Sequence, residues 1–153
     1  MRKRTRAREL AAKFLYQADL TSSRELSDSM IQAFLAESTD SPEVSTFAIE
    51  LIKGYWEKRD VIDKRIEEVS HNWKLDRMAA IDRNIIRLGA YELMFRTDVP
   101  ALVSINEAIE MAKKFSTRKS GPFVNGVLDS IRKKYADHKP CGRDKQTPLA
   151  SGS

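Results

Sequence analysis

Residues 113–128 read KKFSTRKSGPFVNGVL and join one amphipathic helical pattern to the next. Four cations precede an aromatic ring in this segment: Lys113, Lys114, Arg118, Lys119 and Phe123. Gly121 and Pro122 stand where the last helix would begin, and proline is best tolerated in a first helical turn. The free amides of such a turn favour an anion such as phosphate. Cations beside an exposed ring are what single-stranded nucleic acid requires, although a solvated loop is the ordinary alternative.

The length of 153 residues is sufficient for one domain with a buried core. Helical periodicity stops after Tyr135, and the remaining residues are polar and include two prolines. We therefore expect a folded domain over residues 1–136 and a disordered tail over 137–153. No apolar run approaches the roughly 18 residues of a membrane span, and the basic N-terminus lacks the apolar core of a signal peptide. A cytoplasmic protein is expected.

Catalytic and metal-binding side chains are scarce. The chain has one cysteine, Cys141, and two histidines, His71 and His138, which lie far apart in sequence. An internal disulfide is excluded, and a thiolate metal cluster or a histidine-based triad is not expected. The sequence predicts a protein that is not an enzyme and that holds neither a metal nor a cofactor.

Charge is unevenly distributed along the chain. Residues 1–10 carry five cations and one acid, residues 112–135 carry seven cations and one acid, and residues 11–111 have a net charge of −6. Each basic run alone is as well explained by a solvated surface. Two basic ends around an acidic middle nevertheless indicate two surfaces, one for a polyanion and one for a basic partner.

The periodicity predicts an all-α fold of about six to seven helices without a sheet. The first helix has an apolar face, with Tyr16 projecting opposite it beside Glu9, Ala12 and Lys13. An aromatic ring on a polar face is either a partner contact or an ordinary surface tyrosine. Ser41 and Pro42 start a long helix whose apolar stripe continues through Trp73.

Three further positions leave alternatives open. Gly54, inside the long helix, indicates either a bend or close packing. Glu92 projects into the apolar arc of a central helix over 77–95, where a structural carboxylate bonded to backbone or arginine is favoured over a catalytic acid. Arg83 and Arg87, one turn apart on the other face of that helix, either bind phosphates or meet solvent. Ser104 and Glu107 have capping-box spacing and predict the next helix start.

Five separated segments carry a recognisable pattern: RTRARE at 4–9, WKLDR at 73–77, RLGAYEL at 87–93, INEAIEMAK at 105–113 and FVNGVLD at 123–129. In their order and spacing, residues 4–135 resemble the NusB family of bacterial transcription antitermination factors. The resemblance implies two packed helical bundles. It also implies binding of boxA-containing single-stranded RNA together with the ribosomal protein NusE, within the RNA polymerase antitermination complex at ribosomal RNA operons.

The resemblance also suggests which residues do this work. Matched positions imply RNA contacts by Arg4, Arg6, Arg8, Arg87, Lys119 and Phe123, and NusE contacts by Tyr16, Asp76 and Asp82. The loop before Phe123 departs from the family pattern, since Arg118 adds positive charge that strengthens phosphate binding. Pro122 in turn removes one backbone donor.

Two other functions fit the same resemblance. NusB-like domains precede the catalytic domain of some ribosomal RNA cytosine methyltransferases, although 153 residues leave no room for that domain. A protein-only scaffold that binds NusE and merely tolerates RNA is the other alternative. Homo-oligomers that hide the basic surface are compatible with the sequence, which does not decide the point.

Overall fold

The computed structural model describes residues 2–71 and 73–136. These residues form six α-helices and one 3-10 turn and contain no strand, which confirms the all-helical prediction. The elements are α1 (Lys3–Leu20), α2 (Asp28–Ser38), α3 (Pro42–Val69), the turn (Leu75–Arg77), α4 (Ala80–Phe95), α5 (Ala101–Phe115) and α6 (Ser120–Tyr135). The predicted tail, with Cys141 and His138, lies outside the described residues.

Helix α4 is the centre of the molecule. Helices α1, α2 and α3 form one bundle and α4, α5 and α6 form the other, while α4 also packs against both α1 and α3. Ten residues of α4 are buried as a result, in agreement with the predicted broad apolar arc. The helix begins at Ala80, and part of the predicted first turn is instead the separate 3-10 turn.

Helix α1 is buried on more of its circumference than its sequence predicts. The predicted apolar face is in the core, but Glu9 and Ala12 are buried as well, at 3% and 0% exposure. Packing against two helices at once explains the difference, because residues on the flank of the apolar stripe meet the second neighbour. Tyr16 is left half-buried on the narrow remaining face.

Helix α3 begins as predicted and ends earlier. The Ser41 side chain accepts a hydrogen bond from the amide of Val44, and Pro42 occupies the first turn. Of the two alternatives for Gly54, close packing is the correct one, since a Cβ there would lie 2.1 Å from Cζ of Tyr91. The helix continues through this residue without a break. The helix stops at Val69, so the prediction that its stripe reaches Trp73 is wrong.

The start of α5 also differs from the prediction. The chain breaks at Asp98 and Pro100 as expected, but α5 already begins at Ala101. Ser104 therefore lies inside the helix, where its hydroxyl donates to Glu92 at 2.9 Å instead of capping. The capping-box pattern was misleading because both of its polar residues bind partners on other helices.

Candidate nucleic-acid interface

The two basic segments of the sequence meet in the structure through Glu9. Its carboxylate binds Lys114 of α5 at 3.0 Å and Arg6 of α1 at 3.4 Å. Lys13, two turns along α1 from Arg6, lies over the ring of Phe115 at 5.1 Å. We call this surface, with the loop that follows it, the basic junction: Arg6, Lys13, Lys113, Lys114, Arg118 and Lys119. It fulfils the charge condition for a polyanion site, since cations distant in sequence share one face.

The first turn of α6 connects the basic junction to an aromatic cleft. A Cβ at Gly121 would lie 3.8 Å from Cγ of Lys113, so the lysine stem passes against this turn. On its other side, the turn borders a cleft of about 220 Å³, whose main lining residues are Trp73, Arg77, Asp82, Lys119, Ser120 and Phe123. The rings of Trp73 and Phe123 meet edge to face with centroids 6.4 Å apart.

Backbone amides contribute less to this site than the sequence suggests. The amide of Ser120 donates to the carbonyl of Thr117, and that of Phe123 donates to the carbonyl of Lys119. Pro122, in the first turn as predicted, has no amide hydrogen. Positive charge at this turn therefore comes mainly from side chains, because most of the expected anion-binding amides are engaged or missing.

Trp73 is a site residue that sequence reasoning missed. The periodicity assigned it to the apolar face of α3, but it lies beyond the end of that helix and is 51% exposed. A large exposed ring beside cations is a stacking surface for a base. The signal was the polar segment SHNWK around it, which does not continue a buried stripe.

Arg8 does not belong to the exposed cations. Its guanidinium is 4% exposed and binds Glu92 through two hydrogen bonds, of 2.8 and 2.9 Å, with Glu107 as a third contact at 3.4 Å. Glu92 is thus the structural carboxylate bonded to arginine that was favoured. The position of Arg8 does not support direct RNA contact, and we reassign this residue to joining α1, α4 and α5.

Arg87 is also enclosed. Its guanidinium, 15% exposed, binds Asp63 at 3.1 Å and Asp19 at 3.2 Å, and Asp19 binds Arg83 at 2.6 Å as well. Neither alternative predicted for these arginines, phosphate or solvent, describes them. An RNA phosphate would have to displace two carboxylates from Arg87, so we reassign Arg87 to holding α1, α3 and α4 together.

Electrostatics in this group differ between the two carboxylates. Burial raises the pKa of Asp19, but hydrogen bonds from Arg83 and Asn84 and the charge of Arg87 outweigh it and hold that pKa below its usual value. Burial raises the pKa of Asp63 above its usual value despite the nearby charge of Arg87. Asp19 is therefore the carboxylate that the folded protein favours in its charged form.

Arg4 is exposed but already paired. Its guanidinium lies 3.6 Å from Asp98, in the α4–α5 connection, and 4.2 Å from the ring centroid of Phe47, on α3. These contacts direct it away from the Glu9 side of α1. Arg4 remains accessible, whereas Arg6 alone among the three predicted N-terminal arginines lies in the basic junction.

The structure does not bring the three residues predicted to face a protein partner into one site. Tyr16 is half-buried on α1, and Asp76 is exposed beside a second cleft. We call it the acidic cleft because its carboxylates Asp19, Asp63, Glu67 and Asp76 outnumber its cations Lys74, Arg83 and Arg87. Asp82 is only 8% exposed and accepts a hydrogen bond from Ser120 at 2.9 Å in the aromatic cleft. Its position does not support a protein contact.

Metal ligands do not gather anywhere in residues 2–71 and 73–136, and no helix within them is long and apolar enough to cross a membrane.

The protein is thus an all-helical, two-bundle protein built around one central helix. Its candidate site is a basic junction beside an aromatic cleft. Residues 5–133 match the model of the NusB family. A transcription antitermination protein NusB from Desulfatibacillum aliphaticivorans is 47% identical over 131 residues, which cover 86% of this chain and 90% of that protein. The NusB protein from Myxococcus xanthus is 45% identical over 130 residues, covering 84% and 93%. The chain belongs to the NusB family.

Solved structures agree with this assignment. The T. maritima NusB structure has a TM-score of 0.77 and 38% identity, covering 87% of this chain and 92% of that one. A crystal structure of the antitermination factors NusB and NusE in complex with dsRNA has a TM-score of 0.78 and 30% identity, covering 88% and 99%. The two-bundle fold predicted from the sequence is confirmed.

Proposed function

We propose that this protein is a transcription antitermination factor that binds boxA RNA together with NusE and carries both into the RNA polymerase complex at ribosomal RNA operons. It works in the bacterial cytoplasm, as a binding protein and not as an enzyme. The observation that supports this most is the meeting of Arg6 and Lys114 at Glu9, next to the cleft that holds the exposed ring of Trp73 and the partly exposed ring of Phe123.

In the proposed complex, the basic junction binds the phosphates and the aromatic cleft binds an unpaired base. Cations fix the backbone without reading its sequence, while an unstacked base is recognised by its ring and its edge. Arg6, Lys114 and Lys119 are the main phosphate contacts, and Arg118 and Arg77 add charge on either side of the loop. Phe123 stacks on the base, and Trp73 provides a second ring.

NusE binds the adjoining surface. Tyr16 lies on α1 one turn beyond Lys13, and the acidic cleft with Asp76 lies between α3 and α4. Arg83 and Arg87 engage Asp19 and Asp63 there. The exposed Glu67 and Asp76 are therefore the carboxylates that attract a basic ribosomal protein and steer its approach. Because α1 carries Arg6 at one end and Tyr16 near the other, RNA and NusE bind to neighbouring parts of one helix.

A boxA titration with and without NusE tests this function. We expect the protein alone to bind boxA RNA measurably, and NusE to raise its affinity for that RNA. A scrambled RNA of the same composition is the control, at one fixed salt concentration because affinity depends strongly on salt. Binding of NusE without any preference for boxA would contradict the proposal and favour the protein-only scaffold.

A further inference from the structure

The aromatic cleft contains an acid that the proposed phosphate contacts do not explain. Asp82 lines the cleft together with Trp73 and Phe123, and its residue is 8% exposed. Carboxylates repel phosphates, so an acid is out of place in a site that only binds an RNA backbone. The place of Asp82 in the first turn of α4 favours a negative charge there, and within the cleft that carboxylate suits a ligand group that donates hydrogen bonds.

One oxygen of Asp82 lacks a partner. Oδ2 accepts a hydrogen bond from the hydroxyl of Ser120 at 2.9 Å. Oδ1 is buried, and it has no hydrogen-bond partner within the described ranges 2–71 and 73–136. Buried polar atoms in folded proteins are nearly always bonded, and exceptions are concentrated at functional positions. The free protein therefore keeps an unbonded, buried acceptor on a residue that lines the cleft.

The surroundings of this acceptor match a nucleobase. Trp73 and Phe123 offer ring faces and edges, and the exposed cations Arg77 and Lys119 are placed to hold the adjoining phosphates. Among the RNA bases, cytosine, adenine and guanine carry an exocyclic amino group, which a carboxylate accepts from. Uracil offers only a ring N–H between two carbonyl oxygens, and these oxygens are repelled by the carboxylate.

We propose that Asp82 determines base specificity in the aromatic cleft by accepting a hydrogen bond from the exocyclic amino group of an unstacked base. The inference rests on the proposed function, because it requires that an unstacked base of the boxA RNA enters the aromatic cleft. Oδ1 is covered in the free protein, so the base reaches it when side chains at the mouth part. Trp73, 51% exposed on the segment between α3 and the 3-10 turn, is the side chain that we expect to move.

Amino-group deletion in the RNA tests the inference. Each cytosine, adenine or guanine of a boxA oligonucleotide is replaced in turn by 2-pyrimidinone, purine or hypoxanthine, which lack only the exocyclic amino group. With the wild-type protein, we expect one position at which the deletion weakens binding about tenfold. With Asp82→Ala, the unmodified RNA should bind that much more weakly, and the same deletion should have no further effect.

Two variants make the test specific. Ser120→Ala removes the hydrogen bond to Oδ2 and leaves the acid, so it should keep the sensitivity to the deleted amino group. Asp82→Asn keeps the side-chain volume and removes the charge. It replaces Asp82→Ala in the test if that variant fails to fold. We expect it to reduce the effect of the deletion.

The inference and the proposed function fail in different ways. If boxA RNA binds tightly and Phe123→Ala weakens binding, but no amino deletion matters, the inference alone is overturned. It is equally overturned if Asp82→Ala retains the full effect of the deletion. If the wild-type protein binds no boxA RNA, the proposed function fails and the inference fails with it.

Discussion

At the scale of single residues, the Phe123 ring is the proposed stacking surface. Phe123→Ala removes the ring from a partly exposed position and should weaken boxA binding by about 1–3 kcal/mol. Phe95→Ala is the matched control, since Phe95 is a 37% exposed ring at the far end of α4. Isothermal titration calorimetry on folded variants measures both, and equal losses would remove stacking from the account.

Arg6 and Arg8 are two residues apart, and the structure gives them opposite roles. Arg6 is partly exposed beside Lys114, so Arg6→Ala should reduce the steepness of the salt dependence of RNA binding by about 0.7. Sequence preference should stay the same, because phosphates carry no sequence information. Arg65→Ala, on α3, is the control. A slope identical to that of the wild type would exclude a phosphate contact by Arg6.

At the scale of elements, the buried pair of Arg8 and Glu92 joins α1 to α4. Arg8→Met should lower the free energy of unfolding by about 3–5 kcal/mol, because Glu92 would remain buried without its main counter-charge. Arg8→Met combined with Glu92→Met should recover much of this loss, since it removes both charges. Urea unfolding measures the free energy of unfolding of the wild type, the single variant and the double variant. A single variant as stable as the wild type would show that the pair does not hold these helices together.

Two helical glycines should respond in opposite directions. Gly54→Ala places a methyl group against the Tyr91 ring and should cost about 1–3 kcal/mol of stability through overpacking between α3 and α4. Gly126→Ala meets nothing within 4 Å and should stabilise α6 by up to about 1 kcal/mol. Thermal unfolding compares the two. If Gly126→Ala lowers the stability, the space around Gly126, one turn beyond Phe123, is not open as the structure indicates.

Patterns within single elements were predictable, whereas pairings between elements were not. The Ser41–Pro42 start and the apolar arc of α4 follow from local periodicity and capping, and both are confirmed. Arg8 resembles its neighbours in sequence, and only the approach of Glu92, 84 residues away, takes it out of the exposed set. Ser104 has the sequence pattern of a helix cap, and only its contact with Glu92 on another helix shows that it is not one. The meeting of the two basic segments likewise depended on how α1 and α5 both pack against α4, which lets their side chains reach each other.

At the scale of the whole molecule, Asp19 contributes stability that depends on pH. Its folded-state pKa lies below the unfolded value of about 3.9, so its contribution is complete above that value. It is lost as the pH falls through the folded-state pKa, because the unfolded chain takes up the proton first. Asp19→Asn should therefore lower stability at pH 7 and flatten the loss below about pH 4.

Urea unfolding between pH 3 and pH 7 measures this dependence, over a range that spans the usual carboxylate pKa values. Asp60→Asn, on the exposed side of α3, controls for the loss of one negative charge. An acid limb in Asp19→Asn as steep as in the wild type would mean that other carboxylates govern the stability of the fold at low pH.

The distribution of charge gives the molecule two functional faces. Cations of α1, α5 and the loop before α6 gather at the basic junction, whereas the acidic cleft between α3 and α4 is lined by four carboxylates and three cations. In the proposed complex, RNA binds the basic junction, NusE binds the surface with Tyr16 and Asp76, and the two meet along α1. If each raises the affinity of the other, the two factors must be equal, which binding in either order can check.

The chain carries two tryptophans, and each marks a different cleft. Trp73 lies in the aromatic cleft, and Trp56 lies in a cleft of about 440 Å³ with Tyr55, Arg59 and Asp63. The indole N–H signals of both can be followed by NMR as boxA RNA is added to the protein. RNA bound across the basic junction and the aromatic cleft should shift the Trp73 signal and leave that of Trp56 in place. A shift of Trp56 with Trp73 unmoved would contradict this site.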